Sequence, residues 1–127
     1  MPTESQMKAA VQAYADGFNN GDADAIMALF ADNAVIEDPV GTPVRPRTEF
    51  EAFIRQGVRF GARLALSTPI RGSHGNAAAM AFTVTYHDGK NLIATNSLDV
   101  MHFDDAGKIV EMKGYWGPED ASVVEPR

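Results

Sequence analysis

Met7, Val11, Tyr14 and Phe18 recur at spacings of three and four in the N-terminal segment, which predicts a helix to about Asn20 with these side chains on one buried face. Thr3-Glu4-Ser5-Gln6 opens it as a capping box, in which the hydroxyl and the amide satisfy free N–H groups. Asn19-Asn20-Gly21-Asp22 breaks the pattern, and Asp22 can cap a short second helix carrying Ile26, Met27, Leu29 and Phe30. The two predict a helical hairpin. Residues 34–38 then read as a short strand, because Pro39 cannot donate to a ladder and biases Asp38 toward an extended conformation. Thr48-Glu49-Phe50-Glu51 reads as another capping box, opening a helix to about Phe60 whose apolar set is Phe50, Phe53, Ile54 and Val58, and Gly61 ends it.

From there the periodicity changes to that of strands, over residues 62–70, 77–86, 91–103 and 108–116. Gly72-Ser73-His74-Gly75-Asn76, His87-Asp88-Gly89-Lys90 and Asp104-Asp105-Ala106-Gly107 separate them, each rich in residues that tolerate positive φ. Such an order predicts an antiparallel meander. Helices first and strands last imply an α+β fold, a curved sheet covered on one face by helices, within one domain spanning residues 1–127. Alternation puts Met80, Phe82, Val84 and Tyr86 on one face, Val110, Met112, Gly114 and Trp116 on one face, and Asp99 together with Met101 and Phe103.

Composition narrows the function classes. A chain of 127 residues with 45% hydrophobic and 22% charged residues has the make-up of a globular protein, and at this size it buries roughly two thirds of its unfolded surface. The net charge is −6, and the Lys and Arg residues are scattered singly. Without a basic stripe there is no electrostatic footprint for nucleic acid. The absence of cysteine removes disulfides, thiolate nucleophiles and thiolate metal sites. No basic start followed by an apolar stretch opens the chain, and no run approaches the roughly 18 apolar residues of a membrane span. A cytoplasmic protein with no membrane partner is expected.

Three polar residues stand out against this background: Tyr14 within the apolar stripe of the first helix, Asp38 at a strand end, and Asp99 among apolar strand neighbours. Each has an ordinary structural use. A core tyrosine can send its hydroxyl to the surface, Asp-Pro is a common turn former, and a buried carboxyl can bond a turn or helix end. Asp99 resists that reading most, since a carboxyl among such neighbours must find a partner or become neutral, and a neutral Asp99 is a hydrogen-bond donor. The conjunction of all three points to proton-transfer chemistry. Glu37, adjacent to Asp38, points to the opposite face and reads as a solvated charge. His74 and His87 fall in turns, His102 alternates with the inner face, and no pair of histidines has metal-ligand spacing.

At this level of detail the chain resembles the bacterial Δ5-3-ketosteroid isomerases. The likeness runs from about Val11 to the carboxyl end and rests on Tyr14, Gly21-Asp22, Ala31-Asp32, the run from Val35 to Gly41 around Asp38, Ala81-Phe82, Asp99 with Val100 and Phe103, and Tyr115-Trp116. The resemblance implies an NTF2-like conical barrel, with three N-terminal helices on a curved, mostly antiparallel sheet, and a homodimer. It implies that Asp38 is the general base moving a proton from C4 to C6 of a steroid substrate. Tyr14 and a protonated Asp99 would form the oxyanion hole, with no metal or organic cofactor. Ketosteroid isomerases are themselves the worked case of an aspartic acid kept neutral at pH 7 to donate a hydrogen bond, and the resemblance carries that property to Asp99. Phe53, Met80, Phe82, Val84, Met112 and Trp116 are the expected walls for a flat, fused-ring ligand. Ile54 and Phe30 stand where members of the family have tyrosines that extend the network behind Tyr14, which predicts that Tyr14 is oriented by packing. A non-catalytic small-molecule-binding or dimerisation module of the same fold is the competing reading. A hydrolase, dehydratase or cyclase of that fold would call for further polar groups, such as a histidine pair or an Arg-Asp arrangement, to activate water or polarise an epoxide, and no such set is evident in the sequence.

Overall fold

The computed structural model describes residues 1–126. Helix α1 (Glu4–Asn19) is capped as its sequence predicts: Thr3 Oγ1 accepts from the Gln6 N–H at 3.1 Å, and Gln6 Oε1 accepts from the Thr3 N–H at 2.8 Å. Gly21, at φ +67°, turns the chain, and Asp22 Oδ1 accepts from the Ala25 N–H at 3.0 Å to open α2 (Ala23–Met27). The second helix is shorter than its apolar pattern predicts. Strand β1 (Phe30–Glu37) begins directly after it, because the Ile109 N–H donates to the Leu29 carbonyl at 2.9 Å and draws Leu29 and Phe30 into the sheet.

Strand β2 (Arg45–Pro46) pairs antiparallel with β1 and leads into α3 (Arg47–Arg59). The capping box expected at Thr48 does not form. Pro46 occupies the N-cap, no side chain caps the helix, and Thr48 lies within the first turn. Proline delivers an extended chain into the helix and needs no donor of its own there. Phe50 and Ile54, four residues apart, form the buried face of α3, whereas Phe53 is 52% exposed. The expectation that Phe53 belongs to the buried set is therefore corrected: it flanks the stripe, stacked on Phe50 at 6.1 Å between ring centres.

The remaining strands are β3 (Arg63–Leu66), β4 (Ala77–His87), β5 (Asn91–Phe103), β6 (Ile109–Tyr115) and β7 (Ala121–Pro126), the last preceded by a short 3-10 turn at Pro118–Asp120. The sheet order is β2-β1-β6-β5-β4-β3, antiparallel throughout except for the parallel pair β1 and β6. Strand β5 is long enough to serve two partners on one edge, β6 along residues 98–103 and β7 along residues 91–95. The expected first strand of the meander, 62–70, shortens to Arg63–Leu66, and His87 closes β4 opposite Leu92 instead of lying in the turn. A bulge on β6 shifts the register between His102 and Phe103, so that Ile109 and Met112 face inward and Val110 does not share their burial.

The core lies between the inner sheet face, with Ile36, Met80, Phe82, Met101, Phe103, Ile109 and Met112, and the helices, with Met7, Val11, Phe50 and Ile54. No helix among the described residues is long and apolar enough to cross a membrane. Met112 is fully buried at the middle of the sheet, opposite Met101 on β5 and Ile36 on β1. Met112→Ala is expected to lower unfolding free energy by about 2–5 kcal/mol in urea titrations, with the slope of the transition unchanged.

Candidate active site

The sheet register brings the singled-out polar residues together. Asp99 on β5 lies between Met80 on β4 and Gly114 on β6. Glu37 is paired with Lys113 in the β1–β6 ladder, so one further step sets Asp38 beside Gly114, and the Val40 N–H donates to the Gly114 carbonyl at 2.7 Å. Asp99 and Asp38 thus flank a residue with no side chain. Glu37 leaves this face, and its carboxylate accepts from the Gly41 N–H at 2.9 Å.

Asp99 is 2% exposed and Tyr14 is 4% exposed. Burial pushes the Asp99 carboxyl well above the ordinary carboxylate range, and the negative charge of Asp38 pushes it further. The same two influences act on Tyr14: burial first, then the charges of Asp99 and Asp38, raise its pKa well above that of a free phenol. Both shifts favour the protonated forms, in which the two groups are O–H donors.

Asp38, half-buried, is raised as well, though less strongly than Asp99. Desolvation raises its pKa, but the Trp116 indole N–H donates to Asp38 Oδ1 at 3.2 Å and the nearby Arg45 guanidinium is positive, and both pull in the opposite direction. Both carboxyls on this face are thus raised in proton affinity, Asp99 well above the ordinary range and Asp38 less, because the indole and the guanidinium offset part of its desolvation.

Tyr14 is held by shape. Its ring meets Phe18 edge-on at 5.2 Å and Phe30 edge-on at 6.1 Å, and Phe30 packs on Phe50 at 5.5 Å. Edge-to-face pairs are worth about 0.5–1.5 kcal/mol each beyond their buried area. Ile54 is buried in the same core and brings no hydrogen-bonding group to it.

Of the expected wall residues, Met80, Phe82 and Met112 are buried on the inner face, and Val84 is partly buried against the core. Trp116 lies just beyond β6, 37% exposed, with its indole over Asp38. Phe53 stands on the same side, under the Arg45 guanidinium at 5.8 Å from the ring centre, with Arg45 opposite Ile36 on β1. Arg45 and Gly114 were given no role by the sequence. A glycine inside a strand, away from any turn, was the available signal for Gly114; Arg45 becomes conspicuous only once β2 pairs with β1. His102 lies on the outer face 3.3 Å from Glu111. Two open surface depressions, at Met1–Pro2 beside residues 105–107 and at Glu4 beside residues 72–74, lie away from these groups.

Helices over the concave face of a curved sheet, with donors and a base projecting from that face, define an NTF2-like α+β domain. The chain belongs to the SnoaL-like domain family, whose model matches residues 11–112. It is 37% identical over 121 residues to a steroid Delta-isomerase of Nocardioides simplex, covering 94% of this chain and 97% of that protein. It is 26% identical to the epoxide hydrolase LasB of Streptomyces lasalocidi over 98% of this chain, spanning 52% of that protein. Among solved structures, the epoxide hydrolase/cyclase-like enzyme SalBIII, described for pyran ring formation in the polyether salinomycin, superposes with a TM-score of 0.87 at 30% identity, over 97% of this chain and 99% of that one.

A carboxyl whose folded pKa stands above its unfolded value stabilises the fold fully below about pH 4 and loses that contribution as pH rises toward the folded pKa. Asn at position 99 is neutral throughout and escapes the loss. The stability of Asp99→Asn relative to wild type should therefore rise from about pH 4 up to the folded pKa of Asp99, by at most about 1.36 kcal/mol per pH unit. Urea denaturation across a pH series measures it, and a difference independent of pH would mean that Asp99 is not held neutral.

Proposed function

We propose that this chain is a steroid Δ-isomerase that converts 3-oxo-Δ5-steroids to 3-oxo-Δ4-steroids. The observation that supports the reading is the grouping on the inner face: Tyr14 and Asp99 buried, with their protonated forms strongly favoured, and Asp38 beside them, raised less because Trp116 and Arg45 offset part of its desolvation. A proton α to a ketone is weakly acidic, so its removal at neutral pH needs a base and stabilisation of the oxyanion that forms. In this proposal Asp38 takes the C4 proton, and the C4–H electron pair moves into the dienolate as the C3 oxygen gains negative charge. Tyr14 and Asp99 donate hydrogen bonds to that oxygen. Asp38 then returns the proton to C6, the double bond settles between C4 and C5, and the base is regenerated. One carboxylate serves both carbons, provided water does not exchange with the proton first.

Met80, Phe82, Val84 and Met112 supply apolar surface for the ring system, and Phe53 and Trp116 its outer margin. The proposal includes a homodimer. Leu98 and Tyr115, opposite one another on β5 and β6, are exposed on the outer sheet face, as is Val35 on β1, and light scattering behind size exclusion should return about twice the 13.7 kDa chain mass.

Epoxide opening is the second reading, favoured by the names of two relatives. There Tyr14 or Asp99 would protonate the epoxide oxygen as the C–O bond breaks, while Asp38 takes a proton from the attacking hydroxyl. Ultraviolet absorbance with 5-androstene-3,17-dione decides between them, because isomerisation brings the double bond into conjugation with the ketone. The wild type should convert this substrate, and Asp38→Asn should lose turnover by orders of magnitude while still binding steroid. Tyr14→Phe and Asp99→Ala should each depress kcat, by roughly 10²–10³-fold. No conversion by the wild type would pass the assignment to epoxide chemistry or to a binding module. In the active wild type, Trp116→Phe removes a hydrogen bond to the charged form of Asp38. The acid limb of its kcat/KM profile should therefore move to higher pH, and a shift to lower pH would contradict the role given to that bond.

A further inference from the structure

Gly114 lies inside β6, and its φ is not among the positive values that mark Gly21, Gly41, Gly61, Gly89 and Gly107. Its backbone conformation is one that any residue adopts. Glycine in a strand interior weakens the strand and leaves nothing to pack, so its presence here has a cause other than conformation. That cause is visible in what a side chain would meet. A Cβ on Gly114 would lie 2.5 Å from Asp38 Cγ, 2.5 Å from Oδ1 and 2.8 Å from Oδ2. All three atoms of the carboxyl are closer than van der Waals contact permits, so the group lies across the bare Cα.

We infer that Gly114 is the seat of Asp38, a positioning residue whose missing side chain fixes where the carboxylate rests between Trp116 and Asp99. The surrounding contacts converge on that position. Trp116, two residues further along the chain and just past the end of β6, donates its indole N–H to Asp38 Oδ1, the Val40 N–H is tied to the Gly114 carbonyl, and Asp99 is the cross-strand partner of Gly114. The titratable and charged groups facing Asp38 are Asp99 and Tyr14 from the interior and Arg45 from β2. The colliding atoms belong to the end of a side chain and not to the backbone. Added bulk at position 114 would therefore move the carboxylate and leave the strand where it is.

The inference deepens the isomerase reading and rests on it for its catalytic consequence, but the seat itself can be tested without turnover. Trp116 is the only tryptophan, and its indole is bonded to the group in question, so its fluorescence should follow the ionisation of Asp38. In wild type a pH titration of that emission is expected, abolished in Asp38→Asn. Gly114→Ala should lose most of its amplitude while keeping or raising the melting temperature, since alanine suits a strand better than glycine. If the wild type isomerises, Gly114→Ala should also lower kcat by about 10–10²-fold with KM little changed, the signature of a displaced base.

A Gly114→Ala protein that keeps the wild-type fluorescence titration overturns the seat, whatever its activity, and so does a wild type whose emission shows no titration. Should Gly114→Ala be destabilised or fail to fold, the same substitution in an Asp38→Ala background decides: recovery there places the collision at the carboxyl, and persistence of the defect refutes it. An inactive wild type with the predicted fluorescence behaviour would remove the isomerase reading and leave the seat standing.

Discussion

A carboxyl held on the inner face of the sheet, cut off from water, governs the rest of this structure. Asp99 has Met80 on one neighbouring strand, Gly114 on the other, and Met101 and Phe103 next on its own face. In such surroundings the charged form is poorly solvated, which strongly favours the protonated carboxyl. An ordinary core would replace it with a hydrophobe of similar size. Tyr14 adds another buried O–H on this face, and Asp38 stands beside them, less buried and less strongly shifted.

The difference between the two aspartates is one of access. Asp38 stands one residue past β1, half-buried, where an indole N–H and a guanidinium compensate part of its desolvation. Asp99 stands mid-strand with no such help. The different extents of their shifts follow from strand register and chain position, and the same register brings them to either side of Gly114. Chemistry and topology are therefore coupled: a slip of one residue in β5 would turn Asp99 to the outer face and end both the raised proton affinity and the pairing.

Much of this was legible in the sequence because it depended on short-range rules. The Thr3 capping box, the stripe through Tyr14, the Asp22 cap and the period-two alternation around Asp99 are local patterns, and they appear in the structure as expected. What escaped depended on distant partners. Phe30 left its helix because Ile109 drew the preceding residue into the sheet, β2 and β7 exist only by virtue of the strands they join, and the β6 bulge reset the alternation at Val110. The expected cap at Thr48 failed because Pro46 already fixed the entry of α3. At the site, side-chain identity was readable but mutual placement was not. Arg45 and Gly114 acquire meaning only from neighbours 7 or more residues away in sequence, on other strands.

The aromatic surround of Tyr14 has one more implication. A phenol aimed by hydrogen-bonded neighbours changes direction when one of those neighbours gains or loses a proton, so its aim drifts with pH. Phe18, Phe30 and Ile54 have no protons to exchange. The tilt of the Tyr14 ring is then set by shape, through contacts that are the same on either side of any titration.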